Sequence, residues 1–359
     1  MRRFLLLSFV LVQSIVFAQP SLTVSPTNHN IQYEGRIGFL SDTASVLYWP
    51  GSSITIDFEG SSVQALLKDE KGRNAFNVII DHNNIYKLQL DTDKKYYTLA
   101  THLSKGKHTL ELFKRTEAVW GAASFYGFKI DGAANLFFPA EKKLKMEFFG
   151  NSITCGYANE DSTADRGDAA FENNYLSYAS ITARHYNAAN HNTAVSGIGI
   201  MVSWFPFTMP EAYNRLNPGD PSSSWDFTKY TPDIVVINLF QNDSWLVNLP
   251  NHAEFKRVFG TKAPDTVFII NAYKNFVQTI REKYPNASII CALGSMDATK
   301  AGSHWPGYIT EAVKQMNDKK MYTYFFPYKG TSGHPRVSDQ KNMADQLIHF
   351  IDTHIQLPK

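Results

Sequence analysis

The sequence has little cysteine and no excess of charge of either sign. Its 359 residues include two cysteines, and 35 basic against 33 acidic residues give a formal net charge of +2. Two cysteines make no disulfide framework, and balanced charge gives no electrostatic reason to expect nucleic acid or an anionic membrane as a partner. We interpret Cys155 and Cys291 as buried free thiols, with a disulfide between them as the alternative. Nothing basic near Cys155 in the sequence indicates a catalytic thiol.

Long apolar runs are also lacking, except at the start of the chain. Arg2 and Arg3 precede a mostly apolar stretch, and Val16-Phe17-Ala18 fits a signal-peptidase site. The stretch is shorter than the ~20 residues that a membrane-spanning helix needs. We therefore expect a cleaved export signal over residues 1–18 and a secreted or periplasmic protein without a membrane span. A membrane anchor is the alternative.

From about residue 28, apolar and polar residues alternate over many short stretches. Ile54, Ile56 and Phe58 show this pattern, and polar turns separate one stretch from the next. Short strands of period two, without a long helical pattern, are typical of a β-sandwich of the jelly-roll type. We expect this all-β domain to occupy residues 19–135.

After a charged linker predicted for residues 136–144, short apolar runs alternate with helical patterns. The predicted strands are 146–149, 234–239, 289–293 and 321–326, and the predicted helices are 175–187, 266–283, 307–318 and 338–354. The apolar face of the helix 266–283 is expected to consist of residues four apart, namely Phe268, Ala272, Phe276 and Ile280. This alternation indicates βαβ units and a parallel sheet covered on both faces. We expect a three-layer α/β domain over residues 145–359.

Four segments fall in the loops after strands, where function gathers in such sheets. Ser152 follows the first strand and can act as a nucleophile. Gly197 and Asn242 follow later strands, and their N–H groups, with that of Ser152, can hold an oxyanion. His334 precedes the last helix and can act as general base. Together these residues form a complete set for acyl transfer.

The order of these four residues resembles that of the SGNH/GDSL hydrolase superfamily, over about residues 145–355. The segment 149–157, Phe-Gly-Asn-Ser-Ile-Thr-Cys-Gly-Tyr, is similar to the nucleophile block of carbohydrate esterase family 2. Segments that look like the jelly-roll domain of that family are 76–81, 106–108, 114–117 and 125–128. The resemblance implies an acetyl polysaccharide esterase that removes O-acetyl groups from plant-type polysaccharides such as xylan or glucomannan.

The triad acid is missing from the local histidine motif. The superfamily usually carries Asp three residues before the histidine, where Thr331 stands, and members of this family often have one two residues before, where Ser332 stands. Such an acid fixes the imidazole tautomer and stabilises the imidazolium. We therefore favour a serine–histidine dyad in which a backbone carbonyl holds His334. An acid from elsewhere, Asp297 or Asp243, is the alternative.

Two further departures concern the substrate pocket. Gly333 stands where the family often has an aromatic residue, so we consider Trp204, Trp245 and Trp305 as possible substrate contacts. Packing in the core or at the domain junction is the alternative for each tryptophan. Phe240-Gln241 replaces the usual Gly-Thr, and we expect it to narrow the pocket beside the oxyanion asparagine.

The sequence gives no support for a metal or another cofactor. Asp161, Asp165 and Asp168 cluster in one polar loop, which we interpret as solvated. No spacing of ligands typical of zinc is present, and no phosphate-binding glycine loop follows a strand.

Two other functions stay open at this point. In the first, the chain is a carbohydrate-binding protein whose hydrolase domain has decayed and lost its activity, since the expected acid is missing. In the other it is an esterase that acts on other short-chain esters, such as those of lipids, or on thioesters.

Overall fold

The computed structural model describes residues 21–132 and 135–357. Its N-terminal part is made of two antiparallel sheets of six strands each. The first sheet contains β1 (Ser21–Val24), β3 (Ile37–Leu40), β4 (Ala44–Leu47), β6 (Ser62–Asp69), β9 (Lys95–Ala100) and β11 (Ala123–Asp131). The second contains β2 (Ile31–Glu34), β5 (Ser53–Glu59), β7 (Ala75–Ile80), β8 (Asn84–Gln89), β10 (Lys107–Lys114) and β12 (Asn135–Phe137).

The core of this domain lies between the two sheets, because alternate side chains of each strand point inward. Ile54, Ile56 and Phe58 of β5 are fully buried, and Leu110 and Leu112 of β10 lie opposite the two isoleucines. Buried apolar residues of the other sheet complete the same cluster. The predicted β-sandwich is confirmed. Its last strand, β12, ends at Phe137, within the segment predicted as a linker.

The rest of the chain forms a parallel sheet between two layers of helices. In spatial order its strands are β14 (Ala189–Ala194), β13 (Lys145–Gly150), β15 (Ile234–Asn238), β16 (Ser288–Leu293) and β17 (Met321–Phe325). The helices are α1 (Ser152–Cys155), α2 (Tyr178–His185), α3 (Met209–Ala212), α4 (Gln241–Leu246), α5 (Ala253–Phe259), α6 (Thr266–Lys283), α7 (Trp305–Met316) and α8 (Val337–His354). Separate apolar clusters cover the two faces, with α2 and α8 in one and α6 and α7 in the other. The predicted three-layer α/β domain is confirmed.

Helix α6 has its predicted bounds but a slightly different buried face. Asp265 caps it by accepting a hydrogen bond from the N–H of Phe268 at 2.8 Å, as N-cap aspartates do. Phe268 itself is half exposed. The buried residues of the helix are Ile269, Tyr273, Phe276, Val277 and Ile280. The buried stripe thus follows i, i+4, i+7, i+8 and i+11 from Ile269, which fits 3.6 residues per turn better than a strict spacing of four.

The two domains share a buried junction. Arg36 of the sandwich places Nη2 2.9 Å from Oε1 of Glu147 in β13, and both side chains are excluded from solvent. Trp49 is buried in the apolar cluster of the hydrolase domain and donates to the carbonyl of Leu216 at 2.8 Å. Because a buried charge that loses its partner is costly, this junction ties the folding of one domain to the other.

The predicted export signal over residues 1–18 lies outside the described residues. None of the helices within 21–132 and 135–357 is both long and apolar enough to cross a membrane.

Candidate active site

Three segments that carry site residues start side by side at one edge of the parallel sheet. Gly150 at the end of β13 lies opposite Ala194 at the end of β14 and Asn238 at the end of β15. The carboxyl ends of parallel strands share an edge, so Ser152 in α1, the loop that holds Gly197 and Asn242 in the first turn of α4 meet there. Ser152, Gly197 and Asn242, which are far apart in the sequence, therefore lie in one region of the structure.

Ser152 is the first residue of the short helix α1. Asn151 caps this helix, since its Oδ1 accepts the N–H of Ile153 at 3.0 Å. Either Asn or Asp can cap a helix in this way, which explains why Asn151 can replace the common aspartate. The Ser152 Oγ lies 2.9 Å from Nε2 of His334, within the reach that proton transfer from nucleophile to base requires.

The other imidazole nitrogen of His334 meets a carboxylate. Nδ1 lies 2.7 Å from Oδ2 of Asp165, and the backbone N–H of His334 donates to Oδ1 at 3.2 Å. With Nδ1 protonated toward the carboxylate, the lone pair on Nε2 faces the Ser152 hydroxyl. The dyad held by a carbonyl is therefore wrong for this structure. The carboxylate that contacts His334 comes from elsewhere in the chain, as the alternative had it, but from a different residue.

The loop that carries Asp165 is fixed by two other residues. Arg336 donates to the carbonyl of Ala164 at 2.8 Å, and its Nη1 lies 3.3 Å from Oδ1 of Asp165. A Cβ at Gly333 would lie 3.3 Å from Cγ of Asp165, and Gly333 has φ +74°, in the left-handed region. The glycine that replaces the expected aromatic residue thus leaves room for the acid.

Asp165 has a lowered pKa. Partial burial acts to raise the pKa of this carboxyl, but the hydrogen bond and charge of His334, the backbone N–H and the Arg336 guanidinium outweigh it. The carboxylate therefore stays charged at neutral pH, which is the form that stabilises an imidazolium.

Neither aspartate that the sequence suggested as the acid contacts His334. Asp243 is fully buried and accepts the N–H groups of Ile200, Met201 and Val202 at 2.6 to 3.2 Å. Burial raises its pKa to about 6, against those hydrogen bonds. Asp297 accepts hydrogen bonds from Gln241 and Trp245. Asp243 thus holds the backbone of the loop after β14 in place, and Asp297 lines a neighbouring cavity.

Two of the proposed oxyanion donors, Gly197 and Asn242, are each hydrogen-bonded to Trp204. Asn242 donates from Nδ2 to the carbonyl of Ile198 at 2.8 Å, and its Oδ1 accepts Nε1–H of Trp204 at 3.0 Å. Gly197 has φ +85° and accepts the N–H of Trp204 at 3.1 Å. Within the described residues, the N–H groups of Ser152 and Gly197 have no acceptor. These free donors, with the second hydrogen of the Asn242 amide, are what an oxyanion needs.

Asn242→Ala is expected to lower kcat for an acetyl ester about 10²- to 10³-fold, since this is the usual cost of removing one oxyanion donor. The value of KM should change much less. Steady-state kinetics on 4-nitrophenyl acetate measures both constants.

The same substitution also frees the indole of Trp204, so Trp204→Phe serves as a comparison. It removes the indole N–H but keeps the Asn242 amide, and a smaller loss of kcat is expected. A loss in Trp204→Phe as large as that in Asn242→Ala would contradict the donor role.

Three predicted tryptophans line one cavity of about 490 Å³ beside these donors. Its walls also include Ser244, Asn248, Leu249, Asp297, Ala298 and Ser303. Trp204 is 41% exposed, Trp245 donates to Asp297 at 2.8 Å, and Trp305 packs on Phe240 with ring centroids 5.0 Å apart. The structure thus brings all three tryptophans together next to Asn242.

Phe240 does not narrow the pocket as expected. Its side chain is fully buried and packs on Tyr273 at 4.9 Å between ring centroids. Its backbone has φ +84°, a conformation that costs a residue with a side chain but not glycine. That conformation explains why the superfamily usually has glycine at this position, and burial of the ring offsets the strain here.

The other two aspartates of the polar loop have structural roles. Asp161 is buried and accepts hydrogen bonds from the backbone N–H of Thr163 and from the Arg166 side chain. Asp168 caps a short helical turn through the N–H of Ala170 at 2.8 Å. The interpretation of this loop as merely solvated was wrong for Asp161 and Asp165. In the described part of the chain, no group of three or more His, Cys, Asp or Glu side chains is placed to hold a metal ion.

Both cysteines are buried and free. Burial raises the pKa of the Cys155 thiol well above its usual value and that of Cys291 to about 12. Neither is a thiolate at neutral pH, so neither is a nucleophile.

Two site residues were missed by the sequence analysis as functional groups. Asp165 lies 169 positions before the histidine that it contacts, so no local motif connects them. Tyr157 was quoted only as part of the nucleophile block, yet its ring packs on the His334 imidazole with centroids 4.5 Å apart. Neither contact can be recognised from this sequence alone, because no spacing between residues indicates it.

Two family models match the chain in succession. Residues 33–139 match "Carbohydrate esterase 2 N-terminal", and residues 148–349 match "GDSL-like Lipase/Acylhydrolase family". The second model covers more than half of the chain, and its matched segment contains Ser152, Asp165, Gly197, Asn242 and His334.

Characterised relatives include the cellulase/esterase CelE of Acetivibrio thermocellus, which is 33% identical over 351 residues. That match covers 92% of this chain but only 40% of CelE. An acetylxylan esterase / glucomannan deacetylase of Cellvibrio japonicus is 24% identical, over 90% of this chain and 89% of its own length.

A solved structure of a family two carbohydrate esterase from Clostridium thermocellum, in complex with cellohexaose, is 33% identical. It superimposes with a TM-score of 0.79, over 90% of this chain and 98% of that chain. Together with the site geometry, these matches identify a carboxylic ester hydrolase. The chain belongs to carbohydrate esterase family 2, with the N-terminal domain of that family followed by a GDSL-like hydrolase domain.

Proposed function

We propose that this protein is a secreted serine esterase that removes O-acetyl groups from plant-type polysaccharides such as xylan or glucomannan. The observation that carries the proposal is the continuous hydrogen-bonded chain from Asp165 through His334 to Ser152. It ends at the edge of the sheet where Gly197 and Asn242 present N–H donors. Export rests on the first 18 residues of the sequence.

In the proposed reaction, Ser152 Oγ attacks the acetyl carbonyl carbon while Nε2 of His334 takes the hydroxyl proton. The oxyanion that forms accepts hydrogen bonds from Ser152, Gly197 and Asn242. The ester C–O bond then breaks, and His334 returns its proton to the sugar oxygen. Water attacks the acetyl-enzyme by the same route and releases acetate, which restores the serine. Asp165 holds the imidazole in the required tautomer throughout.

The tryptophan-lined cavity supports a sugar as the alcohol part of the ester. Aromatic faces with a few polar groups among them are typical walls of sugar-binding sites, and Ser244, Asn248, Asp297 and Ser303 supply the polar groups. A relative that is 33% identical has been captured with cellohexaose. A bare acetyl group would not need a cavity of this size.

The direct test is acetate release from a panel of acetylated glycans, with acetylated xylan and acetylated glucomannan as its two main members. We expect the wild-type protein to release acetate from at least one of the two, and Ser152→Ala to release none. Binding of these glycans without any acetate release would favour the carbohydrate-binding alternative. Faster turnover of long acyl esters than of acetyl esters would favour the lipid alternative.

Trp245→Ala is expected to raise KM for the acetylated polysaccharide about 2- to 13-fold, because one aromatic contact is worth roughly 0.5–1.5 kcal/mol. The effect on KM for 4-nitrophenyl acetate, which lacks a sugar, should be much smaller. A matched control is Phe268→Ala, which removes a half-exposed aromatic side chain outside the cavity. Equal changes of KM on both substrates would show that the cavity does not select sugars.

A further inference from the structure

The segment 114–117 of the sandwich domain, already notable in the sequence, reaches into the active site. It follows β10 and ends at Glu117, whose side chain is 1% exposed. Glu117 contacts the hydrolase domain through both carboxylate oxygens. Oε2 accepts the backbone N–H of Ser196 at 2.7 Å, and Oε1 is hydrogen-bonded to the Ser196 hydroxyl.

Ser196 is the residue before Gly197, the proposed oxyanion donor. The peptide unit between them contains the Gly197 N–H, so its orientation decides where that donor points. Ser196 is held at its backbone nitrogen and at its side chain by the same carboxylate. A shift of about 1 Å in a preorganised donor is enough to lose much of its effect.

The same carboxylate also reaches the nucleophile's helix. Cys155, the last residue of α1, places its Sγ 3.6 Å from Oε2 of Glu117. Ser152 is the first residue of that four-residue helix. One side chain therefore connects the nucleophile's helix with the oxyanion loop.

Glu117 is itself held by buried groups on both domains. Its N–H donates to Glu172, which also accepts Nε1–H of Trp120 at 2.7 Å. The ammonium of Lys114 is fully buried, donates to the carbonyl of Thr116 and lies 3.4 Å from the Glu117 carbonyl. Burial raises the pKa of Glu117, against the hydrogen bonds from Ser196 and Cys155 and the charge of Lys114.

We propose that Glu117 is a positioning residue for the esterase: the sandwich domain uses it to set the oxyanion donor Gly197 relative to Ser152. This inference rests on the proposed function. It gives the N-terminal domain a part in catalysis that does not depend on whether that domain binds a glycan.

Two substitutions separate the length of the side chain from its carboxyl group. Glu117→Gln keeps the length, so its oxygen can accept the Ser196 N–H and its amide can donate to the Ser196 hydroxyl. Glu117→Asp keeps the carboxyl group but is one methylene too short. We expect Glu117→Asp to lower kcat about 10- to 100-fold, part of the usual cost of an oxyanion donor, with KM within about twofold. Glu117→Gln should stay within about threefold of the wild type.

A second measurement tests the function of the oxyanion hole without a sugar substrate. The rate at which a fluorophosphonate probe phosphonylates Ser152 should fall in parallel with kcat, because the P=O oxygen occupies the same donors. Ser196→Ala removes only the hydroxyl contact, so it covers the case in which a Glu117 variant fails to fold. We expect it to lower both rates about 3- to 10-fold.

Glu147→Gln is the matched control, since Glu147 is a second buried carboxylate at the domain junction that does not touch the oxyanion loop. It should lower the melting temperature yet leave both rates near the wild type. Wild-type rates in folded Glu117→Asp and Ser196→Ala, or equal losses in the Asp and Gln variants, would overturn the inference. If the wild-type protein itself reacts with neither ester nor probe, it is the proposed function that fails.

Discussion

Ser152→Ala is expected to lower kcat for 4-nitrophenyl acetate at least ~10⁴-fold, because loss of the nucleophile of a catalytic triad usually removes all but the residual catalysis of the oxyanion hole. The fold should persist, since Ser152 is a small side chain at the first position of a helix and alanine is a good helix former. Stopped acetate release, together with an unchanged circular dichroism spectrum, would establish both points.

Non-additivity provides the control for this prediction. His334→Ala should cost about as much as Ser152→Ala, and the double variant should be no slower than either, because the two groups act as one unit. Turnover by Ser152→Ala at the wild-type level would contradict the whole assignment. Additive losses would show that the serine and the histidine act separately, despite the 2.9 Å between Oγ and Nε2.

Asp165→Asn is expected to lower kcat about 10²- to 10³-fold, less than the ~10⁴ that follows loss of a fully buried triad aspartate. The effect is smaller here because the Asp165 side chain is 33% exposed, and water can partly replace its charge. The asparagine keeps the size of the side chain but stabilises the imidazolium poorly. Kinetics on a soluble acetyl ester at saturating concentration gives the ratio directly.

Asp168→Asn is the matched control, because Asp168 lies in the same loop but pairs with Arg73 instead of His334. This variant should keep kcat within about twofold of the wild type, as surface ion pairs contribute little. A wild-type rate in Asp165→Asn would restore the dyad that the histidine motif suggested.

The charge of Asp165 should not depend on pH above about 5. Its pKa is held below the usual value of ~3.9, so the carboxylate is charged over the neutral range and loses its charge only as the pH falls through that lowered pKa. Stability that its ionised form adds is likewise present above ~3.9 and lost in stronger acid. Titration of Asp165 itself should therefore add no step to the pH profile of kcat between pH 5 and pH 9.

Local patterns determined the architecture. Alternation of single apolar residues gave the sandwich strands, because side chains on a strand point to opposite faces. Apolar runs gave the strands of the parallel sheet, which is buried on both faces. Ser152, Gly197, Asn242 and His334 were each recognisable because each lies at or near the end of a regular element: Ser152 and Asn242 in the first turn of a helix, Gly197 after β14 and His334 before α8.

The sequence by itself thus determined the two-domain fold, and it predicted the nucleophile, the base and the candidate oxyanion donors. Tertiary structure alone decided what supports them: Asp165 arrives from a loop that Arg336 fixes, and Glu117 arrives from the other domain. The physical reason is that a hydrogen bond requires only that two groups meet in space. The sequence shows that the usual aspartate is missing at position 331, where Thr331 stands. It does not show that Asp165 takes this place, because that depends on how a distant loop folds against Gly333.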